Sequence, residues 1–312
     1  MEIMNKDTKE SLEGLLSIVI ATYNHSSLLD NTLNALLNSP VKNCRITVLN
    51  NHSTDDTLKV CENYLGKLKR LEVYTQPVNL GGGSANYIHS IEFCNTEYIW
   101  HLADDDQYDF SHFSDVEEAI ISCKYDLIQV GAHQVGDWDW GKADTPRNFL
   151  KDGYNYFRFS SFLPCSIIRY DYYTRYIKEA YSAIALWYPH MPCLIEAYNN
   201  DVLLYVSKHR IVKAVMGHQL YGNYIPIRGF AFLSTLLSDK KTKNLFMKSQ
   251  YSKNLAKCLL SWIYRDFIPR NQEGFFVVLS IFCCCTFFEK LLFLIGIIPV
   301  LLFKTFHISI KR

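Results

Sequence analysis

Three consecutive carboxylates, Asp104, Asp105 and Asp106, directly follow an apolar run at residues 98–102. Like charges at adjacent positions repel one another, so they need a cation or hydrogen-bond donors beside them. Carboxylate oxygens suit Mg²⁺ or Mn²⁺, and Mg²⁺ is usually held by one or two carboxylates together with substrate phosphates. The triplet therefore predicts a divalent-metal site for a phosphate-containing substrate, with a solvated acidic turn as the alternative.

The chain before the triplet predicts the elements that position it. Strands are indicated by four apolar runs, at residues 15–21, 46–49, 71–74 and 98–102. Helical spacing of apolar residues between these runs predicts an α/β fold with a mostly parallel sheet and helices on both faces. Ligands of such sheets bind beyond the carboxyl ends of the strands. Gly82 and Ser84 open one of these helices, where free N–H groups can hold a diphosphate, although an ordinary glycine-rich turn is the alternative.

The composition argues against several classes of protein. Lys+Arg number 32 and Asp+Glu 31 among 312 residues, a formal net charge of +1, so no nucleic-acid partner is expected. The ten cysteines show no C-x-x-C spacing, which predicts a reducing environment without a disulfide framework. The polar residues 1–14 lack the apolar core of a signal peptide, so export by that route is not expected.

Four polar or mixed stretches follow one another at ordinary spacing, at residues 17–24, 48–55, 79–81 and 102–106. Together they resemble the nucleotide-binding half of family 2 glycosyltransferases of the GT-A fold, of the type that builds bacterial surface polysaccharides such as O-antigen. The resemblance implies a Rossmann-like GT-A domain and a nucleoside-diphosphate sugar donor whose diphosphate is bridged by Mn²⁺ or Mg²⁺. It also implies inversion at the anomeric carbon.

The resemblance implies roles for individual residues. The nucleoside pocket would be lined by three residues that follow the first strand, Thr22, Tyr23 and Asn24. Asp104 would lie near the ribose or base, and Asp106 would be the direct metal ligand. The family's motif can be aligned with the three adjacent aspartates in more than one way. Asp105 can therefore exchange roles with either neighbour, and Asp104 is a second candidate metal ligand.

Asn50 and Asn51 depart from the family pattern, which usually has at least one Asp here to accept the imide N–H of uracil. An Asn side chain accepts through its carbonyl and donates through its amide. These two residues are therefore compatible with uracil, thymine or cytosine, and the alternative is that they only shape a turn.

His190 and Glu196 are the candidate catalytic bases. In family 2 transferases an acidic residue at the start of a comparable helix often deprotonates the acceptor hydroxyl, and His190 stands at that position. The unperturbed pKa of His suits a base near neutrality, and an inverting transfer needs a base opposite the leaving group. A hydrogen-bonded structural histidine is the alternative. Polar residues 208–210 and His218 follow a strand predicted at 202–206; they could close over the phosphates, with His218 as a further metal ligand.

The polar residues 131–153 predict a long loop. Loops of this length are usually functional or disordered. If this loop is functional, Trp138 and Trp140 would stack on a sugar ring or cover the donor.

The C-terminal part predicts contact with a membrane. Residues 239–270 are basic and amphipathic, a pattern typical of helices on a membrane surface, with a solvated helix face as the alternative. Residues 274–303 are apolar except for Glu289, Lys290 and Pro299. Each apolar piece is shorter than the roughly 20 residues a spanning helix needs, so an in-plane or re-entrant hairpin is predicted. Positive charges at the end of the chain favour a cytoplasmic end.

These interpretations divide the chain into four parts: a polar tail (1–14), a nucleotide-sugar-binding half (15–130), an acceptor-binding half (131–238) and a membrane-associating helical region (239–312). The predicted function is metal-dependent transfer of a sugar to a lipid-linked (polyprenyl diphosphate) saccharide. It would occur at the cytoplasmic face of the inner membrane, with peripheral or monotopic attachment. The alternatives are transfer to a soluble or protein acceptor, and a non-catalytic subunit that binds sugar nucleotide or lipid.

Overall fold

The computed structural model describes residues 11–133, 138–215, 224–250, 255–266 and 272–310. The strands in this part of the chain are β1 (Leu16–Thr22), β2 (Arg45–Asn50), β3 (Leu71–Thr75), β4 (Tyr98–Ala103), β5 (Gln107–Tyr108), β6 (Leu127–Ala132), β7 (Lys142–Asp144), β8 (Ser166–Arg169) and β9 (Leu204–Lys213). They form one sheet in the order β3-β2-β1-β4-β8-β6-β9-β5, with β7 also paired to β9.

Helices precede, connect and follow these strands. They are α1 (Leu12–Leu15), α2 (Ser26–Leu37), α3 (Thr57–Tyr64), α4 (Gly83–His89), α5 (Ser114–Ile121), α6 (Pro146–Lys151), α7 (Tyr156–Ser161), α8 (Tyr170–Arg175), α9 (Ile177–Ser182), α10 (Met191–Asn199), α11 (Tyr224–Thr235), α12 (Lys240–Gln250), α13 (Leu255–Asp266), α14 (Gln272–Cys284) and α15 (Phe287–Ile310). Short 3₁₀ turns occur at Ser90–Phe93, Leu163–Cys165 and Ile184–Leu186.

The sheet is mixed rather than mostly parallel. The N-terminal strands β3, β2, β1 and β4 are parallel neighbours, as the sequence predicted. β8 then inserts antiparallel between β4 and β6, and β9 pairs antiparallel with β5 and β7. The prediction was wrong for this half because β8 lies far along the chain from β4, and local periodicity carries no information about which strands become neighbours.

The buried strand β4 holds the aspartate triplet at a defined place. Trp100 is 0% exposed, and its Nε1–H donates to the backbone oxygen of Pro164 at 2.8 Å. Its ring also stacks on Phe113 with centroids 6.0 Å apart. A large, hydrogen-bonded side chain in the centre of the sheet restricts β4 to one register. The position of β4 in turn fixes where the three carboxylates that follow this strand lie.

Residues 138–153 do not form the predicted loop, because they contain β7 and α6. Trp138 packs at the edge of the hydrophobic core. The centroid of its ring lies 4.8 Å from that of Phe159, and its Nε1–H donates to the Ser207 backbone oxygen at 2.9 Å. The strand predicted at 202–206 continues to Lys213, so residues 208–210 lie inside β9 and not after it. Pairing with β6 extends this strand through polar residues that local sequence assigns to a loop.

The C-terminal helices α11 to α15 pack on one another and against the rest of the domain. α13 lies along α15, where a Cβ at Gly296 would come within 2.6 Å of the Leu260 side chain. Glu289, within the apolar stretch, accepts from the backbone N–H groups of Leu255 and Thr286 at 3.2 and 2.8 Å. Among the described residues, no helix combines the length and hydropathy needed to cross a bilayer.

Candidate functional site

The predicted donor residues meet at the carboxyl ends of three parallel strands. Thr22 pairs with Asn50 across β1 and β2, and Ala21 pairs with Ala103 across β1 and β4. The ends of β1, β2 and β4 therefore lie side by side at one edge of the sheet. The loops that leave this edge enclose two adjoining cavities.

The first cavity has a volume of about 550 Å³ and the second about 480 Å³. Gly81, Gly82, Gly83, Tyr87 and Asp105 border both of them, so the two cavities form one cleft. An added Cβ at Gly81 or Gly82 would meet no atom within 4 Å. The glycine turn therefore leaves room for a ligand to approach the backbone where the cavities join.

The first cavity is lined by the residues predicted for the nucleoside. Thr22 is 4% exposed, and its hydroxyl oxygen has no hydrogen-bond partner among the described residues. Tyr23 is 41% exposed at the same cavity, so one face of its ring is accessible to solvent or ligand. Asn24 also lines the cavity, but its side-chain oxygen accepts from Thr54 N at 2.7 Å, which ties the β1 loop to the β2 loop.

Asn50 and Asn51 differ in their access to the cavity. Asn50 is fully buried and does not line it; its oxygen accepts from Ser53 N and its amide donates to the Thr75 hydroxyl. Asn51 lines the cavity, but its amide and oxygen bond to residues 79 and 80. The turn-shaping alternative therefore describes Asn50, whereas only Asn51 borders the space available to a base.

The three aspartates divide along the cleft. Asp104 borders the first cavity, Asp106 borders the second, and Asp105 borders both. Burial and the neighbouring charge of Asp104 raise the pKa of Asp105. Burial, together with the charge of Asp105, raises the pKa of Asp106 to about 7, although its Oδ1 accepts from Val215 N at 3.1 Å. Hence two adjacent carboxylates face the second cavity, the buried Asp106 and the half-buried Asp105, and the charge of Asp105 raises the pKa of Asp106.

A divalent cation fits this donor set. Within the described ranges no three His, Cys, Asp or Glu side chains are arranged to hold a metal by themselves. Mg²⁺ needs only one or two carboxylates when substrate phosphates complete its coordination. Asp105 and Asp106 would hold it next to the glycine turn, and its charge would offset both their repulsion and that of a diphosphate.

His190 lies in the second cavity with Asp105 and Asp106. It immediately precedes α10 and is 3% exposed, and its Nε2 lies 3.1 Å from the Ser160 backbone oxygen. A carbonyl oxygen only accepts, so Nε2 carries the proton and Nδ1 keeps a lone pair. Nδ1 has no partner among the described residues. Burial lowers the pKa of His190 to about 4, so the ring is neutral at pH 7.

Glu196 is not part of this cleft. Glu196 lies on α10, where its carboxylate accepts from the side chains of Asn199 and Asn200, and it lines neither cavity. Its place on the helix puts it on a different face from His190. His218 lies outside the described residues. Gly82 borders both cavities and Ser84 the second, as expected for groups near a diphosphate.

His25 and Tyr87 belong to the cleft but were not predicted. His25 Nδ1 lies 3.1 Å from the Asp104 carboxylate, and Tyr87 borders both cavities and packs edge-on against His101. A histidine next to Tyr23 and Asn24 was a usable signal for His25. Tyr87 carries no such signal, because its position depends on how α4 packs on β4.

Three comparisons place the chain among known proteins. The sequence profile of the family described as Glycosyl transferase family 2 matches residues 17–181. An "Uncharacterized glycosyltransferase" of Haemophilus influenzae is 29% identical over 92 residues, which cover 30% of this chain and 36% of that protein. The "GalNAc(5)-diNAcBac-PP-undecaprenol beta-1,3-glucosyltransferase" of Campylobacter jejuni is 26% identical over 92 residues, 30% of each chain. These alignments thus span only 36% and 30% of the length of the two relatives.

The fold is also similar to a solved structure. The crystal structure of S. aureus TarS 1–349 in complex with UDP-GlcNAc aligns with a TM-score of 0.65 at 16% identity. The alignment covers 89% of this chain and 83% of that one. The likeness at this level of identity concerns the fold, and it covers most of the chain.

Proposed function

The chain belongs to the family 2 glycosyltransferases, and we propose that it is a metal-dependent, inverting enzyme that moves one sugar from a nucleoside-diphosphate sugar to a lipid-linked saccharide. The proposed setting is synthesis of a cell-surface polysaccharide such as O-antigen or capsule. The TarS complex with UDP-GlcNAc supports the donor class, and the name of the Campylobacter relative, with its PP-undecaprenol saccharide, supports the acceptor class.

One observation carries this proposal: the second cavity is lined both by the carboxylates suited to a metal diphosphate and by His190, whose buried Nδ1 has no hydrogen-bond partner among the described residues. A donor lying along the cleft would place its nucleoside in the first cavity, beside Thr22, Tyr23 and Asp104. Its diphosphate would lie at the glycine turn. The transferred sugar would then reach the second cavity, which His190 borders from the side of α10.

The chain's own residues supply the proton transfer. Nδ1 of His190 would accept the proton of the acceptor hydroxyl while that oxygen bonds to the anomeric carbon and the nucleoside diphosphate departs with the bonding electrons. The Ser160 carbonyl holds the ring in the tautomer that this step requires. A divalent cation, when bound, would supply positive charge against the departing diphosphate.

The membrane part of the proposal rests on α14 and α15. Their exposed large side chains are almost all apolar: Phe276, Leu279, Phe287, Phe288, Leu291, Leu292, Leu294, Ile295, Ile298, Leu301 and Leu302. Only Glu289 and Phe293 of the described α15 side chains are buried. An apolar helix face of this extent suits the interface of a bilayer, and a lipid-linked acceptor would be presented there.

Donor hydrolysis tests the proposed function. Purified full-length protein is incubated with Mn²⁺ or Mg²⁺ and a panel of UDP-, dTDP-, CDP- and GDP-sugars, and release of free nucleotide is monitored. We expect release from one donor, loss of release with EDTA, and a fall of at least about 100-fold in Asp106→Asn. Asp171→Asn, an exposed carboxylate on α8, is the matched control and should behave as wild type. No release from any donor, alone or with lipid-linked saccharide extract, would overturn the proposal.

A further inference from the structure

A third cavity, which shares no lining residue with the cleft, lies between the 3₁₀ turn at Ile184–Leu186 and the helices α11 and α14. Its volume is about 570 Å³. Ligand pockets of about 300–1,000 Å³ are typical of small-molecule sites. Six of the lining residues are apolar: Ala185, Leu186, Ala231, Phe232, Phe276 and Val277.

The polar residues of the lining add little that a neutral polar ligand could use. The hydroxyls of Ser182, Thr235 and Ser280 donate to backbone oxygens of their own helices, at 3.1, 2.6 and 2.8 Å. Among the described residues that line the cavity, Arg228 is the only charged one, and no carboxylate opposes it. An apolar cavity with a formal charge of +1 suits an apolar chain that ends in an anionic group.

One wall of the third cavity continues into the apolar face of α14 and α15. Phe276 lines the cavity and is also 61% exposed on that face. Leu279 is exposed too and lies three residues further along α14, which places it next to Phe276 on the helix surface. A chain that leaves the third cavity past Phe276 therefore meets the face assigned above to the bilayer interface.

The opposite wall adjoins the second cavity. Leu186 lines the third cavity, and the next residue, Trp187, lines the second. Trp187 has a φ of 70°, a left-handed conformation that bulky residues rarely adopt, so the chain turns sharply between the two cavities. α11 packs directly on this turn, because a Cβ at Gly229 would lie 2.5 Å from the Leu186 backbone oxygen. The four residues from Leu186 to His190 span at most about 14 Å.

Resting on the proposed function, we propose that the third cavity binds the first prenyl units of the acceptor's lipid carrier, next to its diphosphate. A lipid-linked acceptor must keep its chain at the bilayer while its sugar hydroxyl reaches His190. The third cavity lies between these two places, and Arg228 supplies positive charge for the diphosphate. A bilayer phospholipid has to satisfy only the first of these requirements.

Calorimetric titration of the full-length protein tests this inference. The probes are geranyl diphosphate, geraniol, inorganic diphosphate and dihexanoyl phosphatidate. EDTA is present so that no divalent cation can hold a diphosphate at the aspartates. We expect saturable binding of geranyl diphosphate, at least tenfold tighter than that of each other probe, because the apolar chain and the anionic group both contribute.

Two variants locate the site. Ala185→Trp fills the cavity from an exposed position of the 3₁₀ turn, and Arg228→Gln removes the positive charge. We expect each to weaken binding of geranyl diphosphate at least tenfold. The matched controls are Ala143→Trp, at an exposed alanine of β7, and Arg175→Gln, at an exposed arginine of α8. Both lie outside the cavity and should bind like wild type, and thermal unfolding checks that all four variants fold.

Each contrary result overturns the inference. Equal binding of inorganic diphosphate would mean a simple anion site, and equal binding of geraniol would remove the need for the diphosphate. Equal binding of phosphatidate would indicate a site for bilayer phospholipid. Absence of saturable binding, or unchanged binding in either folded cavity variant, would show that the prenyl chain does not lie in this cavity.

Donor hydrolysis, measured on the same protein after Mn²⁺ replaces EDTA, separates this inference from the proposed function. Binding of geranyl diphosphate without hydrolysis of any donor would contradict the proposed function and leave the third cavity as a prenyl diphosphate site. Donor hydrolysis without binding of geranyl diphosphate would keep the transferase and overturn the assignment of this cavity.

Discussion

His25 Nδ1 lies 3.1 Å from each carboxylate oxygen of Asp104. This hydrogen bond, with the negative charges of Asp104 and Asp105, raises the pKa of His25, against the opposing effect of its partial burial. An imidazole from the start of α2 therefore offsets part of the charge of the aspartate triplet. The His25–Asp104 contact therefore stabilises the aspartate triplet in addition to any cation that binds there.

His25→Gln tests that relationship. Gln keeps a hydrogen-bonding group but cannot carry the positive charge, so Asp104 loses a charge-assisted partner. We expect the KM for the donor to rise about tenfold and kcat to change by less than about threefold. His89→Gln, a partly exposed imidazole that is paired with Glu92 and lies outside the cleft, is the control. Steady-state kinetics with an unchanged KM in His25→Gln would contradict the role given to this contact.

His190→Gln tests the proposed base. Removal of a general base costs about 100-fold or more in kcat, whereas donor binding should be nearly unaffected. We therefore expect the loss in kcat and a donor KM within about threefold of wild type. Thermal unfolding of the variant checks that the buried site has not collapsed. A variant that folds and retains more than a tenth of the wild-type transfer rate would exclude His190 as the base.

Two buried histidines should make stability depend on pH. Burial lowers the pKa of His101 to about 3 and that of His190 to about 4, whereas an unfolded His titrates near 6.5. Between these values the unfolded chain binds more protons. The stability that the neutral rings provide is thus complete above pH 6.5 and declines as the pH falls. Each contributes up to about 1.4 kcal/mol per pH unit to that decline.

The contribution of His101 is measured by difference. Urea unfolding at pH 7, 6 and 5 gives the free energy of unfolding of wild type and of His101→Asn. The wild-type value should fall more steeply, by about 1 kcal/mol per pH unit below 6.5. His133→Asn, an exposed histidine, should follow wild type. Parallel curves for wild type and His101→Asn would contradict the pKa shift.

Glu289→Ala should destabilise the C-terminal helices. Glu289 accepts from Thr286 N while its own N–H donates to the Thr286 hydroxyl, a capping box at the start of α15. It also accepts from Leu255 N at the start of α13 and lies 3.4 Å from Lys248 Nζ. We expect a loss of about 2 kcal/mol in the free energy of unfolding. Glu62→Ala on the exposed face of α3 should cost little, and equal losses in both variants would contradict this assignment.

Vesicle flotation tests the apolar face of α14 and α15. The full-length protein should co-float with vesicles that contain an anionic lipid, and Phe287→Ser/Phe288→Ser should reduce the floated fraction at least about threefold, because these rings are 78% and 74% exposed. Tyr181→Ser removes an exposed aromatic ring elsewhere and should float like wild type. Flotation that is absent in wild type, or unchanged in the double variant, would reject membrane binding through this face.

Several features followed from local sequence because they depend on local physics. Strands β1 to β4 and the helices between them reflect the pattern of apolar residues within a short window, and so do the polar residues at the strand ends. Parallel strands necessarily bring their carboxyl ends together. The meeting of Thr22, Asn51 and the aspartates at one edge was therefore predictable without coordinates.

Other features depend on contacts between distant parts of the chain. The insertion of β8 beside β4, the bulge in β9 and the Ser160 carbonyl against His190 join residues tens of positions apart. Asn50 and Asn51 are adjacent and identical, yet one lies under the cavity and the other borders it. The side chains of two adjacent residues at the end of a strand point in opposite directions. Only the packing around them therefore determines which of the two a ligand can reach.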